Sequence, residues 1–191
     1  MMSETSMSET SAPDARAITI RRWAEIAHRA RLDEELDAIF FEASGTKSFP
    51  DDTARAMFRE RWLGRYLKLH PQWAYLAVAD DDVAGYLVGA LDEANGFENF
   101  AAASRQFPAH LHINLAPRFR SRGIGAALIE RFAADAAAAG ARGMHVVTSA
   151  DARNVHFYER IGFSPRAGTT VNGRDLVFLG RELQNDESKH H

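Results

Sequence analysis

The chain has 191 residues with 46% hydrophobic content, enough for one domain with a proper core and too few for two. Its formal net charge of -3 gives no global basic footprint, which argues against a nucleic-acid partner and makes any anion site a local one. There is no cysteine, so disulfides, thiolate metal sites and an acyl-cysteine intermediate are excluded together.

The N-terminus MMSETSMSETSAPDA is polar where a signal peptide is basic and then apolar. No apolar run approaches the roughly 18 residues that a membrane helix needs. A cytoplasmic protein with no membrane partner is therefore expected. The tandem SETS after Met2 and Met7 is too polar to offset its ordering entropy, so residues 1–16 are predicted to be a disordered tail. Residues 17–184 form the predicted domain, and 185–191 a second solvated tail.

AITIRRW, from Ala17, predicts a first strand. Leu32, Leu36, Ile39 and Phe40, with Asp33 near the start and Gly45 at the end, predict a helix. After the break SFPDD, Met57, Phe58, Trp62, Leu63, Tyr66 and Leu67 predict a second amphipathic helix reaching about His70 and Pro71. WAYLAVAD and VAGYLVGAL, separated by Asp80 to Asp82, read as a hairpin. The insertion ANGFENFAAASRQFP, residues 94–108, is long enough to suggest a lid. HLHINLAP is a strand stopped by Pro117, and Ile124, Leu128, Phe132 and Ala136 then repeat every four residues until Gly140. MHVVTSA is a strand, VHFYERIGF a short helix closed by Gly162, and TTVNGRDLVFLGREL a hairpin around Asn172-Gly173. The order β, α, α, β, β, β, α, β, α, β, β predicts a single-domain α/β fold, a mixed and mostly antiparallel sheet flanked by helices.

The chemistry concentrates in RFRSRGIGAAL, Arg118 to Leu128. A strand that ends before a glycine-bearing loop and a helix N-terminus offers unpaired N–H groups and the positive end of a helix dipole, which attract phosphate. Gly123 and Gly125 let the backbone come close, and Arg118, Arg120 and Arg122 add guanidinium groups that match phosphate oxygens. Taken alone, the stretch is equally a solvated basic loop with a helix cap. A dinucleotide fingerprint fits poorly, because its third small residue would fall at Leu128, a core position. A phosphate loop ending in Gly-Lys-Ser or Gly-Lys-Thr is absent.

LHINLAPRFRSRGIGAALIERF resembles the acetyl-CoA-binding core of the GNAT N-acetyltransferases, whose pattern Arg/Gln-x-x-Gly-x-Gly/Ala is filled by Arg120, Gly123 and Gly125. SADARNVHFYERIGF is similar to the second motif of that family, with Asn154, Tyr158, Gly162 and Phe163 in place. The element order also resembles the GNAT fold from Ala17 to about Leu183.

The resemblance implies acetyl-CoA as acyl donor and direct transfer, in a ternary complex, to an amine of a small molecule or peptide. It places the pyrophosphate on Arg120 and on the backbone of Arg122, Gly123, Ile124, Gly125 and Ala126, and the pantetheine arm beside Leu115 and Ala116 with a hydrogen bond from Asn154. The Leu115 N–H would polarise the acetyl carbonyl, and Tyr158 would protonate the departing thiolate. Tyr158 is otherwise a packed core aromatic, and Asn154 an N-cap for Val155 onward. Candidate bases are Glu93, beside Asp92 at the end of a central strand, and His112, which shares a strand face with His110. No third ligand is in range of the two histidines, so no metal is expected. The position before Leu115, a carboxylate in one subgroup of the family, is here Asn114, and an amide takes no proton. This keeps open the alternative of a non-catalytic acyl-CoA-binding or sensing module. Asp33, Glu34, Glu35 and Glu42 could attract a cationic amine or form a solvated face. A homodimer is among the assemblies that the resemblance implies.

Overall fold

The computed structural model describes residues 17–27, 30–91 and 98–184. Both predicted tails lie outside the described residues. One seven-stranded sheet in the order β1-β2-β3-β4-β5-β7-β6 organises the chain. Its strands are β1 Ile18–Arg22, β2 Ala74–Ala79, β3 Asp82–Ala90, β4 Ala109–Leu115, β5 Gly143–Ser149, β6 Ser164–Val171 and β7 Arg174–Glu182. All neighbours are antiparallel except β4 and β5. The turn between β6 and β7 has left-handed backbone at both Asn172 and Gly173, as the two-residue hairpin signal requires.

The helices are α1 Ala30–Ala43, α2 Asp52–Arg59, α3 Arg65–Leu69, α4 Ala101–Gln106, α5 Ile124–Ala138 and α6 Asn154–Arg160. The single second helix expected from the apolar spacing starts earlier, because the Asp51 carboxylate accepts from the Ala54 N–H at 2.7 Å and caps it. A π turn, Glu60–Gly64, then separates α2 from α3. The wider turn rotates one segment against the other. As a result α2 buries no side chain, while Leu63, Tyr66 and Leu67 all turn inward.

Helices cover both faces of the sheet. On one face Ile124, Leu128, Ile129, Phe132 and Ala136 of α5 pack with Tyr75, Leu87 and Leu111. On the other, Leu36, Ile39, Phe40, Leu63 and Tyr66 pack with Leu76, Tyr86 and Val88. Each such side chain contributes about 1.5–3 kcal/mol of burial. Double coverage explains why β3 reads as a near-continuous apolar run rather than an alternation. No helix among the described residues is long and apolar enough to cross a membrane.

The described part of the insertion, residues 98–108, packs on the sheet. Phe100 and Phe107 pack on Phe178 of β7, and α4 lies between them in sequence. Glycines make the room: a Cβ at Gly143 would fall 2.7 Å from the Phe107 ring, and one at Gly180 2.9 Å from it. The described part of the segment is therefore anchored to the sheet.

Asp135 of α5 ties three elements together. It accepts from Arg22 of β1 at 2.6 Å, from the Tyr75 hydroxyl of β2 at 2.8 Å and from Arg131 at 2.9 Å. Burial works against its charge, but these donors outweigh it and hold the carboxyl below its ordinary value. Asp135→Ala is expected to destabilise the fold by about 1–3 kcal/mol, because the Tyr75 hydroxyl and Arg22 lose their partner. Urea titration reads this. Since the folded value is depressed, the contribution is full above the unfolded carboxylate range near ~4 and fades as pH falls through the folded value. The gap between wild type and variant should close in acid.

Candidate active site

The central parallel pair opens soon after it forms. β4 and β5 are in register only at Ala109 with Met144 and His110 with His145, whereas β4 follows β3 as far as Leu115. No further β4–β5 pairing occurs among the described residues. Antiparallel strands alternate the side to which their N–H and C=O groups point. The Ala116 N–H donates to the Ala84 carbonyl at 3.0 Å, which aims the even positions at β3 and the odd positions, Ile113 and Leu115, at the opening. The Leu115 N–H thus faces the opening. Ala116, expected to pair with the pantetheine arm, has already given its N–H to Ala84. Ile113, like Leu115, has its backbone facing the opening, and the strand alternation is the signal that could have found it.

The turn after β4 is built by unusual backbone. Ser121 and Gly123 both have positive φ, 61° and 78°, and Gly123 precedes α5. No side chain caps this helix and no acid lies in its first turn. The first N–H to find a helical carbonyl is that of Ala127, on Gly123 at 3.0 Å, which leaves those of Ile124, Gly125 and Ala126 for an outside acceptor. Gly125 is small for a second reason. A Cβ there would lie 3.3 Å from the Phe157 ring of α6 and 3.5 Å from the Leu115 side chain. Its absence brings the α5 N-terminus, the β4 end and α6 together.

The three arginines part ways. Arg118 pairs with Asp82 at 3.1 Å. Arg120 donates from Nε to the Leu115 carbonyl at 3.1 Å and from Nη2 to the Glu42 carboxylate of α1. It braces the turn rather than reaching outward. Arg122 lies 5.8 Å from the centre of the Phe119 ring and has no carboxylate partner among the described residues.

Tyr158 of α6 packs against Phe157 and Phe163 and is 6% exposed. Its hydroxyl has no hydrogen-bond partner among the described residues. Burial pushes its ionisation upward, so the phenol keeps its proton throughout the neutral range. Asn154 is not the N-cap expected of it. Arg153 precedes the helix, and Asn154 begins it with its side-chain Oδ1 accepting from the Thr148 hydroxyl of β5 at 3.1 Å. That contact turns Asn154 toward the strand that borders the opening.

On the opposite face of β4 stand His110, His112 and Asn114. Asn114 donates to the Tyr86 hydroxyl at 2.7 Å. The Tyr66 hydroxyl lies 2.8 Å from Nε2 of His110 and 3.1 Å from Nε2 of His112. Burial lowers His110 to about 2 and His112 to about 4, so both are neutral at pH 7. Glu93 and Asp92 lie outside the described residues. No group of three metal-ligating side chains occurs among the described residues. Of the acidic residues on α1, Asp33 pairs with Arg59, Glu35 with Arg31 and the Val83 N–H, and Glu42 with Arg120. Those three carboxylates are thus paired with arginines within the chain.

A sheet opened between two parallel strands beside an uncapped helix N-terminus has room and backbone donors for an extended anionic ligand. Residues 29–163 match the acetyltransferase (GNAT) family, and the chain belongs to it. The protein is an acyltransferase of the N-acetyltransferase type. Solved structures share the fold. SsHAT is 21% identical, with 88% of this chain and 99% of that one covered and a TM-score of 0.67. An N-acetyltransferase from Staphylococcus aureus Mu50 is 18% identical, with 88% and 99% covered and a TM-score of 0.63. YncA from Salmonella typhimurium, solved with acetyl-CoA, is 20% identical, with 91% and 98% covered and a TM-score of 0.58.

Proposed function

We propose that the protein transfers acetyl from acetyl-CoA directly to an amine of a small molecule or peptide, with both held at once at the β4–β5 opening. The carrying observation is that three uncapped N–H groups of α5 stand where β4 leaves β5, and that α6, which carries Tyr158, meets this helix start through Phe157 against Gly125. The residues fit the donor. The α5 N-terminus and Arg122 would hold its pyrophosphate, and the free backbone of Ile113 and Leu115 its amide-bearing arm, as an added strand would be held.

When bound, acetyl-CoA supplies an acetyl thioester, and the acceptor amine displaces the CoA thiol. The Leu115 N–H offers a hydrogen bond to the carbonyl oxygen as charge develops there. Tyr158 keeps a proton for the departing sulfur. His112, neutral at pH 7, is the proton acceptor we assign among the described residues. Glu93 is the second candidate from sequence, and Asn154 would bond to the arm.

Release of CoA thiol that depends on an added amine tests the proposal, read with a thiol-reactive dye to which this cysteine-free chain is blind. Acetyl-CoA binding without turnover across a broad amine panel would instead favour the sensing module, the reading that Asn114 supports. The arginines give a finer check by calorimetry. Arg122→Ala is expected to weaken acetyl-CoA by about tenfold or more, the worth of one charged hydrogen bond, and to flatten the salt dependence. Arg118→Ala should change it little.

A further inference from the structure

Tyr66 belongs to no predicted site, yet its hydroxyl sits between two imidazoles. It is 2% exposed, it comes from α3 just after the π turn, and it reaches Nε2 of both His110 and His112. A hydroxyl has one proton. It donates to one of the two nitrogens, and the other contact is attractive only if that nitrogen carries a hydrogen and donates to the oxygen. The two rings must therefore hold opposite tautomers.

His110 decides which is which. Its Nδ1 is buried and has no hydrogen-bond partner among the described residues. A buried N–H without an acceptor is the rarer and costlier defect, so the proton of His110 belongs on Nε2, where Tyr66 receives it. Tyr66 then gives its own proton to Nε2 of His112, which carries its hydrogen on Nδ1. We infer that Tyr66 sets the tautomer and orientation of His112 and passes it its proton. The Trp62 ring, edge-on at 5.4 Å, borders the same imidazole.

The arrangement serves both protonation states of His112. The single lone pair of His112 Nε2 faces the Tyr66 hydroxyl, so the proton lost by the acceptor amine reaches it through that hydroxyl: the oxygen takes the amine's proton as its own passes to Nε2, and then accepts from both rings. No heavy atom needs to move. This inference rests on the reading of His112 as proton acceptor.

Long-range proton–nitrogen correlation spectra of the 15N-labelled full chain at neutral pH test it. The expected pattern is an Nε2–H tautomer for His110 and an Nδ1–H tautomer for His112. His145, whose Nδ1–H donates to the Phe107 carbonyl, reports that the fold is intact. In Tyr66→Phe the His112 signals should move to mixed tautomers while those of His145 stay. At the same time kcat should fall by about tenfold, one hydrogen bond's worth, with KM for acetyl-CoA unchanged. His110→Phe should mix the His112 tautomers as well. The same tautomer on His110 and His112, or an unchanged His112 pattern in Tyr66→Phe, overturns the inference. Full kcat in His112→Gln would overturn the base assignment instead, and the spectra would still decide the tautomers.

Discussion

Tyr158→Phe is expected to lower kcat by about 10²-fold or more, the usual worth of a positioned proton donor, while acetyl-CoA binds as tightly as before. The reasoning starts from packing. The ring of Tyr158 belongs to the core on the α5 face, between Phe157 and Phe163, and phenylalanine keeps that ring and loses one oxygen. No protein group bonds that oxygen among the described residues, so its removal leaves no buried partner unsatisfied and stability should barely change. A loss confined to kcat would therefore assign the oxygen to the reaction. Because burial raises its ionisation above the ordinary tyrosine value, the donor stays intact to the alkaline end of any practical assay. A wild-type profile with no alkaline fall from this group, together with a uniformly slow variant, is the matching pH result. Equal kcat in both proteins would return Tyr158 to the core and leave the sulfur to solvent.

Gly123→Glu is the second large effect, a loss of acetyl-CoA affinity of about 10²-fold or more from placing like charge against phosphate. Space is not the reason, since a Cβ at Gly123 meets nothing within 4 Å. The cost to the fold is the left-handed backbone, φ 78°, which is about 1–2 kcal/mol for a residue with a side chain. A carboxylate beside a helix N-terminus recovers part of that. The variant should thus fold, with the glutamate occupying the anion position itself. Gly123→Ala separates the terms, because it carries the backbone strain without the charge and should lose far less affinity. Calorimetry with both variants decides the matter. If Ala and Glu weaken binding equally, the turn acts through its shape, and the anion argument fails.

Much of this was readable in the residues. Alternation and four-residue spacings located the strands and most helices, since the sheet is buried on both faces and α5 on one. Asn172-Gly173 marked its hairpin because only a few residue types tolerate two left-handed positions in a row. Gly123 and Gly125 marked the turn for related backbone reasons. The π turn was not readable, because Phe58, Trp62 and Tyr66 keep a regular spacing while the hydrogen bonds beneath them widen. Nor was the anchoring of the insertion, which depends on glycines of β5 and β7 far along the chain.

The sequence by itself determined the fold class, the glycine turn before α5 and the family, because each rests on local backbone chemistry written in consecutive residues. Tertiary structure alone decided which partners individual donors and acceptors take. Arg120 was diverted to Glu42 and Leu115, Ala116 lost its N–H to Ala84, and Tyr66 was delivered to two histidines of β4. A donor or acceptor is spent on whatever partner the fold brings nearest, and that partner lies on another element, at a sequence distance that no local pattern encodes.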